Sequence, residues 1–118
     1  MWELEFFFTA NGDCPLEDFL NNLDQKDDLP FIKAKLDRLE AYGNELRYPE
    51  TKKLGKGLYE LRVKTHRGIY RFPFFYYKGK IIVLTHGFLK KSDKTPRSEI
   101  TRAYEYKAEY ISLKEKQK

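Results

Sequence analysis

The stretch GLYELRVKTHRGIYRFPFF, residues 57–75, determines the fold that the sequence predicts. Apolar and polar side chains alternate along both halves of it, which is typical of β-strands with one buried face. We predict strands over residues 58–64 and 69–76, joined by the loop THRG. Pairing Lys64 with Ile69 places the apolar side chains of both strands on one face, whereas a shift of one residue would carry charges into the core. The sequence therefore predicts a β-hairpin with one favoured register.

Two arginines lie opposite each other in this register. Arg62 pairs with Arg71, and a third predicted strand over residues 81–88 brings His86 opposite Arg71. Like charges that face each other across strands are destabilising, so the row of Arg62, Arg71 and His86 predicts a face that binds an anion. Two other interpretations are open: the arginines extend to solvent with Glu60 pairing one of them, and His86 is an ordinary hydrogen-bonded sheet histidine.

The remaining elements follow from turn, cap and periodicity signals. The sequence predicts a strand over residues 2–8, a helix from Pro15, a second helix ending near Gly43, a loop over residues 44–57, a two-residue turn at Lys78 and Gly79 pairing Phe74 with Val83, and a last helix capped by Thr95 and Pro96. The order β-α-α-β-β-β-α predicts an α+β fold, a largely antiparallel four-stranded sheet with helices on one face. We expect residues 1–118 to form one domain.

The charges of the chain are unevenly distributed. Residues 1–46 contain 11 acidic and 4 basic side chains, whereas residues 47–118 contain 7 acidic and 19 basic ones. This asymmetry favours a surface for a polyanion such as a nucleic acid, the alternative being an ordinary solvated surface. No apolar run is long enough to cross a membrane, and the single Cys14 fits a reducing compartment, so we expect a cytoplasmic protein.

Six lysines surround the predicted arginine row. Lys52, Lys53 and Lys56 precede the hairpin, and Lys90, Lys91 and Lys94 follow the third strand. Together they are expected to line a basic groove with the sheet as its floor, beside which Tyr48 or Tyr76 is a candidate for base stacking.

The chemistry that fits this composition is RNA cleavage without a metal. The sequence contains no GxSxG, HExxH or P-loop motif, and its basic half offers few of the clustered acids that a metal-dependent nuclease needs. RNA supplies its own nucleophile, the 2′-hydroxyl. Arginines stabilise the charge that develops on phosphate, and histidine transfers protons near neutral pH. We therefore expect neither a metal nor a cofactor.

Four motifs resemble those of a known family. They are KKLGKGLYELR at residues 52–62, GIYRF at 68–72, HGFLKKSDKTP at 86–96 and EITRA at 99–103. In this order and spacing they resemble the RelE/HigB toxin superfamily of type II toxin–antitoxin systems, and most closely its phage-derived HigB-like branch. The resemblance covers roughly residues 50–105 in motif detail.

The resemblance implies a ribosome-dependent, metal-independent mRNA endoribonuclease that inhibits translation, with a RelE-like fold. Arg71 matches the phosphate-stabilising catalytic arginine of the family, Arg62 matches the basic position on the preceding strand, and Lys91 matches a basic position after the last strand. His86 or a neighbouring lysine transfers protons. The expected RNA-binding residues are Lys52, Lys53, Lys56, Lys90 and Lys94.

The resemblance also implies partners. It predicts a helix-turn-helix antitoxin of the HigA type, binding of ribosome and mRNA, and binding of operator DNA only through the antitoxin complex. Relatives with this fold include non-enzymatic gyrase inhibitors of the ParE type, so a gyrase inhibitor is one alternative function. A plain RNA-binding module is the other.

Overall fold

The computed structural model describes residues 1–117. Its strands and helices are β1 (Glu3–Phe6), α1 (Pro15–Asn21), α2 (Leu29–Tyr42), β2 (Thr51–Gly55), β3 (Leu58–Thr65), β4 (Gly68–Tyr77), β5 (Ile81–Leu84), β6 (Phe88–Lys90) and α3 (Arg97–Lys116). Short 3₁₀ turns at Lys26–Asp28 and Gly43–Glu45 flank α2. None of the helices within residues 1–117 is long and apolar enough to cross a membrane.

The sheet is mixed and has six strands. Its order is β1-β5-β4-β3-β2, and β6 also pairs with β4. The β1 and β5 strands are parallel, and all other pairs are antiparallel. The α+β class is therefore confirmed and most strand pairs are antiparallel as predicted, but the predicted number of four strands is wrong, and the sheet is mixed because β1 runs parallel to β5.

The strand β2 lies inside the segment that was predicted to be a loop. Thr51 pairs with Leu61 and Lys53 pairs with Tyr59, and an irregularity separates Lys53 from Gly55. Lysines and glycines suggest a loop, yet an edge strand tolerates both, because charged side chains and bulges protect an edge from further pairing. This is the physical reason for the error.

The register of the central hairpin is confirmed. Lys64 pairs with Ile69, and Arg62 pairs with Arg71. The next hairpin differs from the prediction, because Phe74 pairs with Leu84 and not with Val83.

The turn between β4 and β5 explains this difference. The turn has three residues, 78–80, where the prediction had two, and Tyr77 therefore pairs with Ile81. The β5 strand ends at Leu84, and β6 places Phe88 opposite Arg71. His86 is therefore not the cross-strand partner of Arg71.

Helices pack on both faces of the sheet, whereas the sequence predicted helices on one face. On one side, Leu16 of α1 and Ile32 of α2 belong to the same apolar core as Phe72 of β4. On the other side, Tyr110 of α3 packs in a second cluster with Phe75 of β4. The alternation of β4 sends Arg71 and Phe75 to this second side, so α3 and the segment before it lie on the face that carries the arginines.

The proline and glycine signals in the sequence predicted most helix ends correctly. Pro15 begins α1, and Gly43 follows α2 with a φ of 49°. The last helix begins at Arg97, and Thr95 does not cap it: the hydroxyl of Thr95 donates to Oε1 of Glu60 over 2.9 Å. The predicted cap is wrong because a buried carboxylate binds that hydroxyl.

Candidate functional site

Arg62 and Arg71 lie side by side on β3 and β4 and are both buried. Arg71 is 0 % exposed and Arg62 is 5 % exposed. The fully buried carboxylate of Glu60 offsets part of their charge, since its Oε2 lies 3.1 Å from Nη1 of Arg62 and 3.9 Å from Nη1 of Arg71. The repulsion between the arginines is thus offset inside the protein. The interpretation in which Glu60 pairs with an arginine agrees with this geometry, whereas extension of the arginines to solvent does not.

The segment at residues 92–95, here called the covering segment, lies over the arginines. Nη1 of Arg71 donates to the carbonyl of Asp93 over 2.9 Å and to Oγ1 of Thr95 over 3.1 Å, and Nη2 donates to the carbonyl of Ser92. The carboxylate of Asp93 lies 3.3 Å from Nη2 of Arg62. These contacts occupy the guanidinium donors that a phosphate would use.

The surroundings of Arg71 disfavour the charged form of its guanidinium. Burial lowers the pKa of Arg71, and the charge of Glu60 opposes that shift only in part. Its Nε, buried, has no hydrogen-bond partner among residues 1–117. A buried donor without a partner costs free energy, so Arg71 has an unused donor for an anion.

His86 lies apart from the predicted row, in a pocket of its own. It is 3 % exposed, with Nδ1 2.9 Å from Oγ1 of Thr85 and Nε2 3.1 Å from Oε1 of Glu99. The rings of Phe88 and Tyr106 lie within 6 Å of it. Its place in one row with the two arginines is a wrong prediction, and the interpretation as a hydrogen-bonded histidine agrees with this geometry.

The protonation of His86 follows from its surroundings. Burial lowers the pKa of His86, and the hydrogen bond and charge of Glu99 oppose the shift. The ring is therefore neutral near pH 7. A carboxylate only accepts, so the proton of the neutral ring lies on Nε2, and Nδ1 accepts from the hydroxyl of Thr85.

The six predicted lysines form two groups on either side of the arginine pair. Lys52, Lys53 and Lys56 lie on β2 and just after it, and Lys90, Lys91 and Lys94 lie at the end of β6 and in the segment before α3. Five are exposed and Lys52 is half-buried. Three strand spacings, about 14 Å, separate β2 from β6 across the sheet. The covering segment fills the floor of the predicted groove.

Helix α3 contacts the turn that carries Lys56 of the first group. The hydroxyl of Tyr104 donates to the carbonyl of Lys56 over 3.0 Å, and Nζ of Lys107 donates to the carbonyl of Gly57 over 3.0 Å. Gly55 is in close contact with the hydroxyl of Tyr104, where a Cβ would lie 2.4 Å away. The turn between β2 and β3 is thereby held against the helix.

Several members of the site were not predicted from the sequence. Glu60 is an exception, since strand alternation placed it on the arginine face as a partner for one arginine. Thr95 was assigned to a helix cap, and Asp93 and Glu99 gave no signal for their partners, because the path of the chain between β6 and α3 depends on tertiary packing.

A family model matches residues 18–108, and its description is phage-derived protein Gp49-like (DUF891). This is more than half of the chain. The chain belongs to the phage-derived Gp49-like family. The Gp49-like family is part of the RelE/HigB-like toxin family in general, which confirms the resemblance at that level. The match includes Arg62, Arg71 and the six predicted lysines of this Gp49-like protein. No curated protein matches the chain significantly.

Proposed function

We propose that this Gp49-like protein is the toxin of a type II toxin–antitoxin system, of the HigB-like branch, and that it cleaves mRNA on the ribosome without a metal. The observation that supports this best is the pairing of Arg62 with Arg71 on adjoining strands, within the family match and between two groups of lysines. Two guanidiniums at one point suit a phosphate that gains charge during cleavage.

Each residue has a role in this mechanism. The 2′-hydroxyl of the RNA loses its proton to solvent water and attacks the neighbouring phosphorus, the bond to the 5′-oxygen breaks, and a 2′,3′-cyclic phosphate and a 5′-hydroxyl are formed. Arg62 and Arg71 bind the non-bridging oxygens of that phosphate. Lys91 is exposed and donates the proton to the 5′-oxygen, while the second candidate, His86, is buried against Glu99 and needs a rearrangement to reach RNA.

Cleavage by this mechanism requires the covering segment to move. The carbonyls of Ser92 and Asp93 accept from Arg71 where phosphate oxygens would accept in the complex. Lys91 and Lys94 are exposed at this segment, so a polyanion draws the segment outward as it arrives. Glu60 stays in place and keeps the two arginines together.

The partners and location form part of the same proposal. We expect a helix-turn-helix antitoxin of the HigA type, contact with ribosome and mRNA in the cytoplasm, and operator binding only by the toxin–antitoxin complex. We expect residues 1–118 to act as one domain. Lys52, Lys53, Lys56, Lys90 and Lys94 hold the RNA backbone.

The test is induced expression in a bacterial host with mapping of mRNA 5′ ends. The wild type is compared with the double variant Lys90→Gln/Lys91→Gln, which changes two exposed side chains and leaves the core intact. The control Lys33→Gln/Lys116→Gln removes the same charge elsewhere. We expect growth arrest with new ends inside translated codons for the wild type and control, and at least tenfold fewer ends for the test variant.

Other outcomes would select another function. Growth arrest with induction of the DNA-damage response and no new mRNA ends would indicate a gyrase inhibitor. Tight, salt-dependent RNA binding without arrest would indicate an RNA-binding module. Arg71→Ala is a poor first variant, because loss of a fully buried guanidinium disturbs the fold as well as any chemistry.

A further inference from the structure

A cavity of about 360 Å³ lies on the face of the sheet opposite the buried arginines, beside the connection from α2 to β2. Its wall is aromatic: Tyr59 stacks on Phe74 with ring centroids 5.7 Å apart, and Tyr76 meets Tyr59 edge-on at 5.3 Å. We call it the aromatic pocket. Its volume is within the range of small-ligand sites.

The charged side chains that line the aromatic pocket all have one sign. They are Arg47, Lys52 and Lys53, and no carboxylate lines it. Arg47 is anchored by a hydrogen bond from its Nη1 to the carbonyl of Asn44 over 2.6 Å. An aromatic wall with a cationic rim is complementary to a flat, aromatic, anionic ligand, and a nucleotide has these properties.

Tyr48 connects the aromatic pocket with the arginine pair. Its side chain lines the pocket and is 64 % exposed, and the guanidinium of Arg62 lies 5.4 Å from the centroid of its ring. An RNA strand with one base in the pocket would thus pass beside Arg62.

We propose that the aromatic pocket binds one unpaired nucleotide of a single-stranded RNA, with the base stacked on Tyr48 and the aromatic wall and the phosphate held by Lys52 and Lys53. That this strand is the one that is cut rests on the proposed function; the binding itself does not. The pocket then selects RNA by stacking, while the two lysines supply backbone affinity without sequence preference.

The test measures binding of a short fluorescein-labelled oligouridylate to the purified full-length protein by anisotropy. Tyr48→Ala should weaken binding roughly tenfold, because one stacked base contributes about that much, whereas Tyr48→Phe should bind like the wild type. Lys53→Gln should lower the slope of log K against log salt by about 0.7, and Lys116→Gln, an exposed lysine at the far end of α3, should leave affinity unchanged.

Competition experiments identify the ligand chemistry. Unlabelled oligouridylate should compete more strongly than tripolyphosphate or UMP, and UMP at high concentration should shift the NMR signals of Tyr48 and Tyr59. The proposal is wrong if Tyr48→Ala binds like the wild type, if tripolyphosphate competes as well as RNA, or if UMP outcompetes the strand.

The two proposals fail separately. RNA binding that depends on Tyr48, without mRNA cleavage in cells, would support the aromatic pocket as a binding site and contradict the nuclease function. Cleavage that persists unchanged in Tyr48→Ala would support the nuclease and show that the strand bound in the aromatic pocket is not the strand that is cut.

Discussion

Two buried arginines share one buried carboxylate, that of Glu60. Both guanidiniums lie within 4 Å of its Oε2, and its Oε1 accepts from Thr95. All three ionised groups are almost completely removed from water. The removal of one partner from such a cluster leaves a buried charge without compensation, which costs more than an exposed ion pair contributes.

The first prediction follows from this dependence. Glu60→Gln keeps the shape of the side chain but removes its charge, so two guanidiniums face each other uncompensated. We expect the free energy of unfolding to fall by about 3–5 kcal/mol, as measured by urea unfolding followed by circular dichroism.

The matched control is Glu45→Gln, which makes the same chemical change at an exposed position. It should alter the free energy of unfolding by no more than about 0.5 kcal/mol. A loss for Glu60→Gln as small as that of the control would contradict the role assigned to Glu60.

The second prediction concerns His86 and pH. Its pKa is lowered in the folded protein, chiefly by burial, from an unfolded value of about 6.5. Below that pH the unfolded chain binds a proton that the folded protein rejects. Stability therefore falls as pH decreases from about 6.5 toward the lower folded pKa, by at most about 1.4 kcal/mol per pH unit from this group.

Urea unfolding at about pH 7.5 and about pH 5.5 measures the effect. His86→Gln should flatten the dependence, whereas His66→Gln, which changes an exposed turn residue, should keep it. Glu99 and Arg102 act on His86 in opposite directions, so Glu99→Gln should lower the folded pKa further and steepen the fall. If the pH dependence of stability is unchanged in His86→Gln, it arises from other titratable groups and the prediction is wrong.

At the scale of elements, the end of α2 and the start of β1 are fitted to each other. The indole of Trp2 lies against Gly43, where an added Cβ would come within 2.1 Å of it, and the φ of Gly43 is 49°. Trp2 also packs on Tyr76 at 5.3 Å and has the ammonium of Lys80 4.6 Å from its ring centroid. One glycine thus lets three elements meet at one indole.

The third prediction is that Gly43→Ala lowers the free energy of unfolding by roughly 3 kcal/mol and shifts the fluorescence emission of Trp2, the single tryptophan. The loss combines backbone strain at a positive φ with displacement of the indole. Gly12→Ala is the control, because its φ is 88° but nothing lies within 4 Å of the added Cβ. Gly12→Ala should lower the free energy of unfolding by about 1 kcal/mol, from backbone strain alone, and leave the tryptophan fluorescence unchanged. Equal losses of stability in both variants would contradict a specific role for the indole.

The elements that the sequence predicted well are those whose signals are local. The β3–β4 register follows from alternation within one short hairpin, so Arg62 and Arg71 were paired correctly. The position of His86 depended on a turn whose length a sequence pattern does not specify, and β2 was hidden by lysines that an edge strand tolerates. The contacts of Arg71 with the covering segment could not be predicted, because they depend on where α3 packs, and no local sequence pattern specifies that.

At the scale of the whole molecule, the basic side chains around the site fall into a buried set and an exposed set. Arg62 and Arg71 are buried beside Glu60, while five of the six predicted lysines are exposed. Composition predicted a basic surface correctly, but it could not divide the cations into buried and exposed sets. If the proposed function holds, long-range attraction of RNA depends on the exposed lysines.

The fourth prediction is a salt dependence. Lys52→Gln/Lys53→Gln/Lys56→Gln should lower the slope of log K against log salt for single-stranded RNA by about 2, because each phosphate contact contributes about 0.7. The control Lys33→Gln/Lys78→Gln/Lys116→Gln has the same net charge. Binding titrations over a series of salt concentrations measure both, and equal slopes would show that only net charge matters.

The parallel pairing of β1 with β5 has a consequence for synthesis. Glu3 pairs with Ile81, which follows 78 residues later in the chain. Until β5 has been synthesised, the apolar side chains of LEFFF, residues 4–8, have no partner strand, and such non-local pairing is slow to form. During that interval the apolar segment is exposed, which favours aggregation or chaperone binding.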